Sequence, residues 1–193
     1  MEDFTIAIFA SGSGSNAQRI IEYFRENGLS ASFIILSNKK EAFVHERAKT
    51  LGVPSFYFSK RQFNEGNEVL DLLKKQEVKL VVLAGFLLLV PKNLLEAYPQ
   101  KVINIHPALL PKFGGKGMYG HHVHEAVIAA QEKESGITIH FCNAQYDEGD
   151  VILQKSCPVL PNDTPGNLVK RIHRLEHEWY PKVVEELFNE MKK

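Results

Sequence analysis

The stretch "VKLVVLA", residues 78–84, constrains the fold more than any other part of this sequence. It is apolar except for one lysine, and its apolar residues do not alternate with polar ones. A strand with one wet face alternates. A continuous apolar run is buried on both faces, as in a parallel sheet covered by helices on each side. The longer apolar run over 80–90 is interrupted by Gly85 and is too short to cross a membrane. Further short runs, "FTIAIFA" (4–10), "ASFIILS" (31–37), "PSFYF" (54–58) and "KVINI" (101–105), read as strands rich in β-branched and aromatic residues.

Helical segments fall between these strands. The glycine loop "SGSGSN" follows the first strand, and Asn16 is placed to cap a helix over 17–26 whose apolar stripe is Ile20, Ile21 and Phe24. Gly28 is a stop signal, and a second helix over 40–51 closes at Gly52. Helices are also expected over 67–75, briefly from Pro91, and over 123–133. The rhythm then changes. "GITIHFC" (136–142) and "GDVILQKSCPV" (149–159) are joined by too few residues for a crossover helix, so they should pair antiparallel. "NDTPG" begins the last helix with Pro165 in its first turn, and Pro181 is expected to kink or divide that helix near Tyr180. The pattern is α/β: one domain over 1–193, a mostly parallel sheet with helices on both faces and an antiparallel extension in the C-terminal half.

Composition narrows the function. Of 193 residues, 44% are hydrophobic and 24% charged, enough apolar material for a real core. The formal net charge is zero, so no basic excess points to nucleic acid. The start, Met1, Glu2, Asp3 and Phe4, is acidic and is expected to enter a strand at once rather than form a signal peptide. Cys142 and Cys157 have no paired spacing and read as reduced structural thiols in a cytoplasmic protein.

Three short stretches carry polar chemistry at expected strand ends, where ligands bind in α/β sheets. In "NIHPALLP" (104–111), Asn104 and His106 share one face of a strand, so both can donate to one small target, as a developing oxyanion requires. The bland alternative is a strand exit with a proline stop. In "SGSGSN", Gly12, Gly14 and Ala17 fit a dinucleotide-binding pattern, but the acidic partner expected after the second strand is replaced by Ser37, Asn38, Lys39 and Lys40. A phosphate monoester held by the amides of Ser15 and Asn16 at a helix start is the simpler reading, with a plain structural turn as its alternative. In "YDEGDVILQ", Asp147 and Asp150 fall in a turn, and either could be a turn residue alone.

Together these residues resemble a known family. Asn104-x-His106-Pro-x-Leu-Leu-Pro111 is similar to the signature of the folate-dependent formyltransferases. With "GSGSN", "VVLAGF", "HF" and the Asp-x-Gly turn in the same order, the likeness covers nearly the whole chain. It implies the formyltransferase (Rossmann-like) fold. It also implies transfer of a formyl group from 10-formyltetrahydrofolate, a co-substrate, to the amine of glycinamide ribonucleotide, without a metal. By the resemblance, Asn104, His106 and Asp147 match the catalytic trio, and Gly14, Ser15 and Asn16 the phosphate loop. Leu87, Leu88, Leu89 and Val90, with Asn104, match the folate-binding segment, and Glu176 an acid that meets the glycinamide end. The mechanism it implies has Asn104 and a protonated His106 stabilising an oxyanion, with Asp147 either favouring the charged imidazole or ordering a water that moves protons between the amine and the leaving nitrogen.

The sequence departs from that family in two places. Many members carry a basic residue where Leu88 stands, and the loop after Pro111, "KFGGKGMYGHHVHEAV", is longer and glycine-rich. The His121, His122 and His124 cluster lacks a clean metal-ligand set and reads as a solvated or substrate-facing helix start. His140 either faces the site or is a satisfied core residue; of His173 and His177, the latter reads as solvated. Partners are expected to be small molecules, with no nucleic acid and no membrane, and the assembly a monomer or homodimer. Two other enzyme readings keep the fold, a sugar-nucleotide amine formylase and a formyltetrahydrofolate hydrolase. Hydrolases and tRNA-directed members are expected to carry an additional domain. A non-catalytic phosphate-ligand sensor would have no use for Asn104 and His106 converging.

Overall fold

Strands and helices alternate along the chain in the computed structural model, which describes residues 4–193; the acidic start at Met1, Glu2 and Asp3 lies outside the described residues. The elements are β1 (Thr5–Phe9), α1 (Ser15–Glu26), β2 (Ser32–Ser37), α2 (Val44–Leu51), β3 (Ser55–Tyr57), α3 (Lys60–Asn64) and α4 (Glu68–Lys75). They continue with β4 (Val78–Leu83), α5 (Lys92–Ala97), β5 (Val102–His106), α6 (His121–Ala129), β6 (Glu134–Phe141), β7 (Val151–Pro158) and α7 (Pro165–Met191).

The strands form one sheet in the order β3-β2-β1-β4-β5-β6-β7. The pairs among β1 to β5 are parallel; β6–β7 is antiparallel, as the short connection after β6 requires, and β5–β6 is antiparallel too, despite the longer connection through α6. The chain winds outward from β1 to β3, then returns to β4 on the other side of β1. That reversal leaves a crevice at the carboxyl ends of β1 and β4, where doubly wound sheets bind ligands.

Successive residues of β1 supply both cores. Ile6 and Ile8 pack with Ile20, Ile21, Phe24, Ile172, Tyr180 and Val184 from α1 and α7. Ala7 and Phe9 pack on the other face with Phe58, Phe63, Leu73, Val81 and Phe86. This two-sided burial is why the central strands carry unbroken apolar runs. Phe86 sits 5.3 Å from both Phe9 and Phe63, ring centroid to centroid, so the chain leaving β4 is anchored by an aromatic cluster.

Five helix expectations need correction. Helix α1 starts at Ser15 with Gly14 in the N-cap position, so Asn16 lies inside the helix and does not cap it. Helix α2 starts at Val44 rather than 40, because the free Val44 N–H donates to the Gly12 carbonyl (3.1 Å) instead of continuing a helix backward. Helix α3 was not expected; Ser59 caps it through a reciprocal capping box with Gln62. Helix α6 begins at His121 and stops at Ala129, short of 133, where Gln131 turns left-handed (φ 53°). Helix α7 runs unbroken for 27 residues, so Pro181 does not divide it. A mid-helix proline costs about 3 kcal/mol, and the burial of Leu168, Ile172, Tyr180, Val183, Val184, Leu187 and Phe188 on both sides of it offsets that cost. Tyr180 also donates its hydroxyl to the carbonyl of Leu83 (2.9 Å), bolting α7 to the end of β4. No helix among the described residues is long and apolar enough to cross a membrane.

Candidate active site

A cavity of about 530 Å³ opens at the carboxyl ends of β1, β4 and β5. Its wall includes every site residue expected from the sequence: Gly14, Ser15, Asn16, Leu87, Leu88, Leu89, Val90, Asn104, His106, Asp147 and Glu176.

The glycine loop is shaped from behind. The carbonyls of Gly12, Ser13 and Gly14 are each occupied, by the Val44 N–H (3.1 Å), the Arg47 Nε–H (2.7 Å) and the Gln18 N–H (2.9 Å). In a trans peptide the N–H points opposite to the C=O. The N–H groups of Ser13, Gly14 and Ser15 therefore turn away from those partners at the start of α1, a backbone concavity suited to an anion. Gly14 is required twice. Its φ is 72°, and a Cβ there would lie 2.3 Å from Val44 Cγ2. Asn16 donates from Nδ2 to Glu176 Oε2 (3.0 Å), while its own Oδ1 is buried without a partner. Burial raises the Glu176 pKa, against the opposing pull of the Asn16 hydrogen bond and His173.

The polar centre is built on β5. Val102, Asn104 and His106 alternate with Ile103 and Ile105, which fill the core on the other face. Opposite Asn104 in the antiparallel register stands His140 of β6. His140 Nδ1 donates to the Phe141 carbonyl (2.9 Å), and its Nε2 lies 3.1 Å from Asn104 Nδ2 and 3.6 Å from Asp147 Oδ1. The same Asn104 amide nitrogen donates to Asp147 Oδ1 at a longer 3.4 Å. Asp147 Oδ2 lies 3.5 Å from His106 Nδ1 and accepts from the Gly115 N–H (2.9 Å). Asp150 takes the plain turn role: its carbonyl accepts from the Phe141 N–H (2.9 Å). Asp147 itself is left-handed (φ 57°), a conformation aspartate tolerates better than most residues.

Two electrostatic findings refine the expectation. His106 was expected to be held protonated by Asp147. Burial dominates instead and draws its pKa below the ordinary value, although Asp147 and the Phe113 carbonyl pull the other way. The donors are also engaged: His106 Nε2 binds the Phe113 carbonyl at 2.8 Å, and the Asn104 amide faces His140 and Asp147. For Asp147, burial is the largest influence and pushes the pKa up. The combined pull of His140, His106 and the Gly115 N–H nonetheless leaves it below the usual carboxylate range, hence ionised.

The histidine cluster separates. His121 and His122 are exposed and face Glu125 (3.2 and 3.5 Å), while His124 is buried and lines the cavity. His173 also lines it and stacks on His177 with centroids 6.2 Å apart. Lys116, Met118 and Tyr119 of the glycine-rich loop, and Cys142, Asn143 and Gln145, complete parts of the wall that sequence reading missed. Their only signal was proximity to the turn and loop, since side-chain direction there follows the path of the backbone. Burial pushes the Cys142 thiol well up, so it is not a nucleophile. Ser11 was also missed. It donates to Asn38 (2.7 Å) and accepts from the Leu87 N–H (3.1 Å), tying the ends of β1, β2 and β4 together.

A doubly wound sheet with an anion cradle and an Asn–His–Asp centre in one cavity describes a group-transfer site. The Formyl transferase family matches residues 4–184, and the chain belongs to that family. Among curated relatives, the phosphoribosylglycinamide formyltransferase of Bacillus subtilis is 38% identical over 186 residues, covering 94% of this chain and 93% of the relative. The chloroplastic phosphoribosylglycinamide formyltransferase of Arabidopsis thaliana is 43% identical over 93% of this chain. The chain spans 63% of that plant relative's length, and 61% of its counterpart from Vigna unguiculata. Among solved structures, the phosphoribosylglycinamide formyltransferase of Streptococcus pneumoniae superposes with a TM-score of 0.84 at 39% identity, covering 96% of this chain and 99% of that one.

Proposed function

We propose that the protein transfers the formyl group of 10-formyltetrahydrofolate to the amine of 5'-phosphoribosylglycinamide, a one-carbon step of purine biosynthesis. The observation that carries this reading is the sharing of one cavity by three features. They are the backbone anion cradle at Gly14, Ser15 and Asn16, the apolar segment Leu87 to Val90, and the Asn104–His106–Asp147 centre. The cradle suits the phosphate, Glu176 the glycinamide end, and the apolar segment the pterin of the folate.

In the reaction, the neutral amine attacks the formyl carbon. A C–N bond forms and the carbonyl electron pair moves onto oxygen. His106, kept neutral by burial, takes up the amine proton as the intermediate develops, and the ionised Asp147 then stabilises the imidazolium. The long Asn104–Asp147 contact gives way as the Asn104 amide turns to the oxyanion. The proton passes to the departing folate nitrogen, the old C–N bond breaks, and tetrahydrofolate leaves. Leu88 offers the folate no polar side chain, so recognition at that segment rests on its backbone and apolar surface.

The test is turnover. Incubation with 10-formyltetrahydrofolate and the ribonucleotide should release tetrahydrofolate and formylated product. Release of formate without amine, or preference for a sugar-nucleotide amine, would replace this reading.

A further inference from the structure

We propose that Arg47 of α2 is a positioning residue for the anion cradle, acting on the phosphate through the Ser13 peptide without touching the substrate. This rests on reading the glycine loop as the phosphate site. Three carbonyls of that loop are held from behind, and two of the donors, Val44 N–H and Gln18 N–H, are backbone groups that any residue supplies. Ser13 is the one whose carbonyl is held by a side chain, at 2.7 Å from Arg47 Nε. Because the peptide is planar and trans, fixing the Ser13 carbonyl on the α2 side aims the Gly14 N–H the opposite way. The donor is charged, so the bond is stronger than a neutral one and polarises the peptide it holds.

Arg47 is itself fixed. Its Nη1 binds Gln18 Oε1, and Gln18 donates in turn to Glu22 (2.6 Å), so α1 and α2 grip the guanidinium between them. Its guanidinium carbon also lies 5.1 Å from the Phe43 ring centroid. The charge matters as well as the geometry. Among the described residues, those lining the cavity include no arginine and a single lysine, Lys116, which is exposed on the glycine-rich loop. The whole chain has a formal net charge of zero, so no global field favours a dianion. A cation directly behind the cradle supplies that potential where the wall does not.

Arg47→Ala and Arg47→Lys in the full chain test this, with inorganic phosphate as a direct binding probe. Kinetics on the ribonucleotide and on the phosphate-free glycinamide riboside complete the comparison. Arg47→Ala should weaken phosphate binding and raise the ribonucleotide KM about tenfold, the loss expected for one charged hydrogen bond. The folate KM and kcat should change by less than about twofold, and the riboside should show no difference between variant and wild type. Arg47→Lys, which keeps the charge and one donor, should recover part of the loss. Unchanged phosphate affinity in Arg47→Ala overturns the proposal, as does an equal loss on both substrates, which would show that Arg47 only packs α2. If Arg47→Ala does not fold, Arg47→Lys decides: weaker phosphate binding supports the role and wild-type affinity removes it. A wild-type protein that binds phosphate in an Arg47-dependent way but does not formylate the ribonucleotide would end the proposed activity and leave this inference standing. One that does not bind phosphate ends the inference.

Discussion

His106 has an acceptor beside each ring nitrogen, the Phe113 carbonyl at 2.8 Å and Asp147 at 3.5 Å, yet it is only 4% exposed and its pKa is drawn down by burial. The two acceptors favour a second proton and burial opposes it, which suits a group that gains charge only as the reaction proceeds. His106→Ala should lower kcat by ~10²–10³ with little change in binding of either substrate, since the contact strengthens in the transition state. Asn104→Ala should behave similarly. The double variant should lose less than the product of the two, because both groups meet through Asp147 and act as one unit in the transition state. Multiplicative losses in kcat would separate their roles.

A second residue-scale prediction concerns pH. The pKa of His124 is lowered to about 4 from 6.5, chiefly by burial and then by His173, His121 and His106. The unfolded chain therefore takes up a proton at this position before the folded one does, so stability falls as pH drops from about 6.5 to about 4. His106 acts with the same sign from the same upper limit. Asp147 adds stability above the ordinary carboxylate pKa and loses it below, as pH falls through its depressed folded value. Glu176 acts with the opposite sign, because burial raises its pKa, so the test is the difference between proteins: relative to wild type, His124→Gln should lose less stability, read as the urea midpoint, between pH 7 and pH 5. An equal loss in the variant would assign the effect elsewhere.

At the scale of elements, α2 and α7 do more than cover the sheet. Helix α2 braces the glycine loop through the Val44 N–H and leaves no room for a side chain on Gly14. Gly14→Ala should cost ~1–3 kcal/mol of stability from left-handed strain and raise the ribonucleotide KM far more than the folate KM. Adding Val44→Ala should not rescue it, because the added Cβ would still lie 2.7 Å from Val44 Cβ and 3.1 Å from its Cα, and the φ strain remains. Helix α7 brings Glu176 to the cavity and anchors itself with Tyr180, whose buried hydroxyl reaches the carbonyls of Leu83 and Ile103. Tyr180→Phe should cost ~1 kcal/mol, read as a lower urea midpoint at unchanged m-value, with kcat preserved. A larger loss in kcat than in stability would mean that α7 positions Glu176 through this bond.

For the whole molecule, one cavity on a single sheet links substrate binding to global stability. Each substrate at a hundredfold excess over its Kd should add about 2.7 kcal/mol, a rise in Tm of roughly 5–10 °C for a chain of this size. Protection by one substrate alone would argue against a shared site. Much of this architecture was legible in the sequence. The runs at 4–10 and 78–84 declare two-sided burial through their lack of alternation. The segment between 142 and 149 is too short for a crossover and so dictates antiparallel pairing. Asn104 and His106 share a face because strand geometry has a period of two. These features follow from local periodicity and chain length. Tertiary structure decided the rest. It joined Asn16 to Glu176 across 160 residues, chose Asp147 over Asp150, and set His140 against Asn104 by strand register. It also carried α7 through Pro181 and placed Arg47 behind Ser13. Local preference reports which way a residue leans within its own segment. Convergence of distant side chains depends on register, on the path of turns and on the burial that makes a locally costly conformation the lowest in free energy.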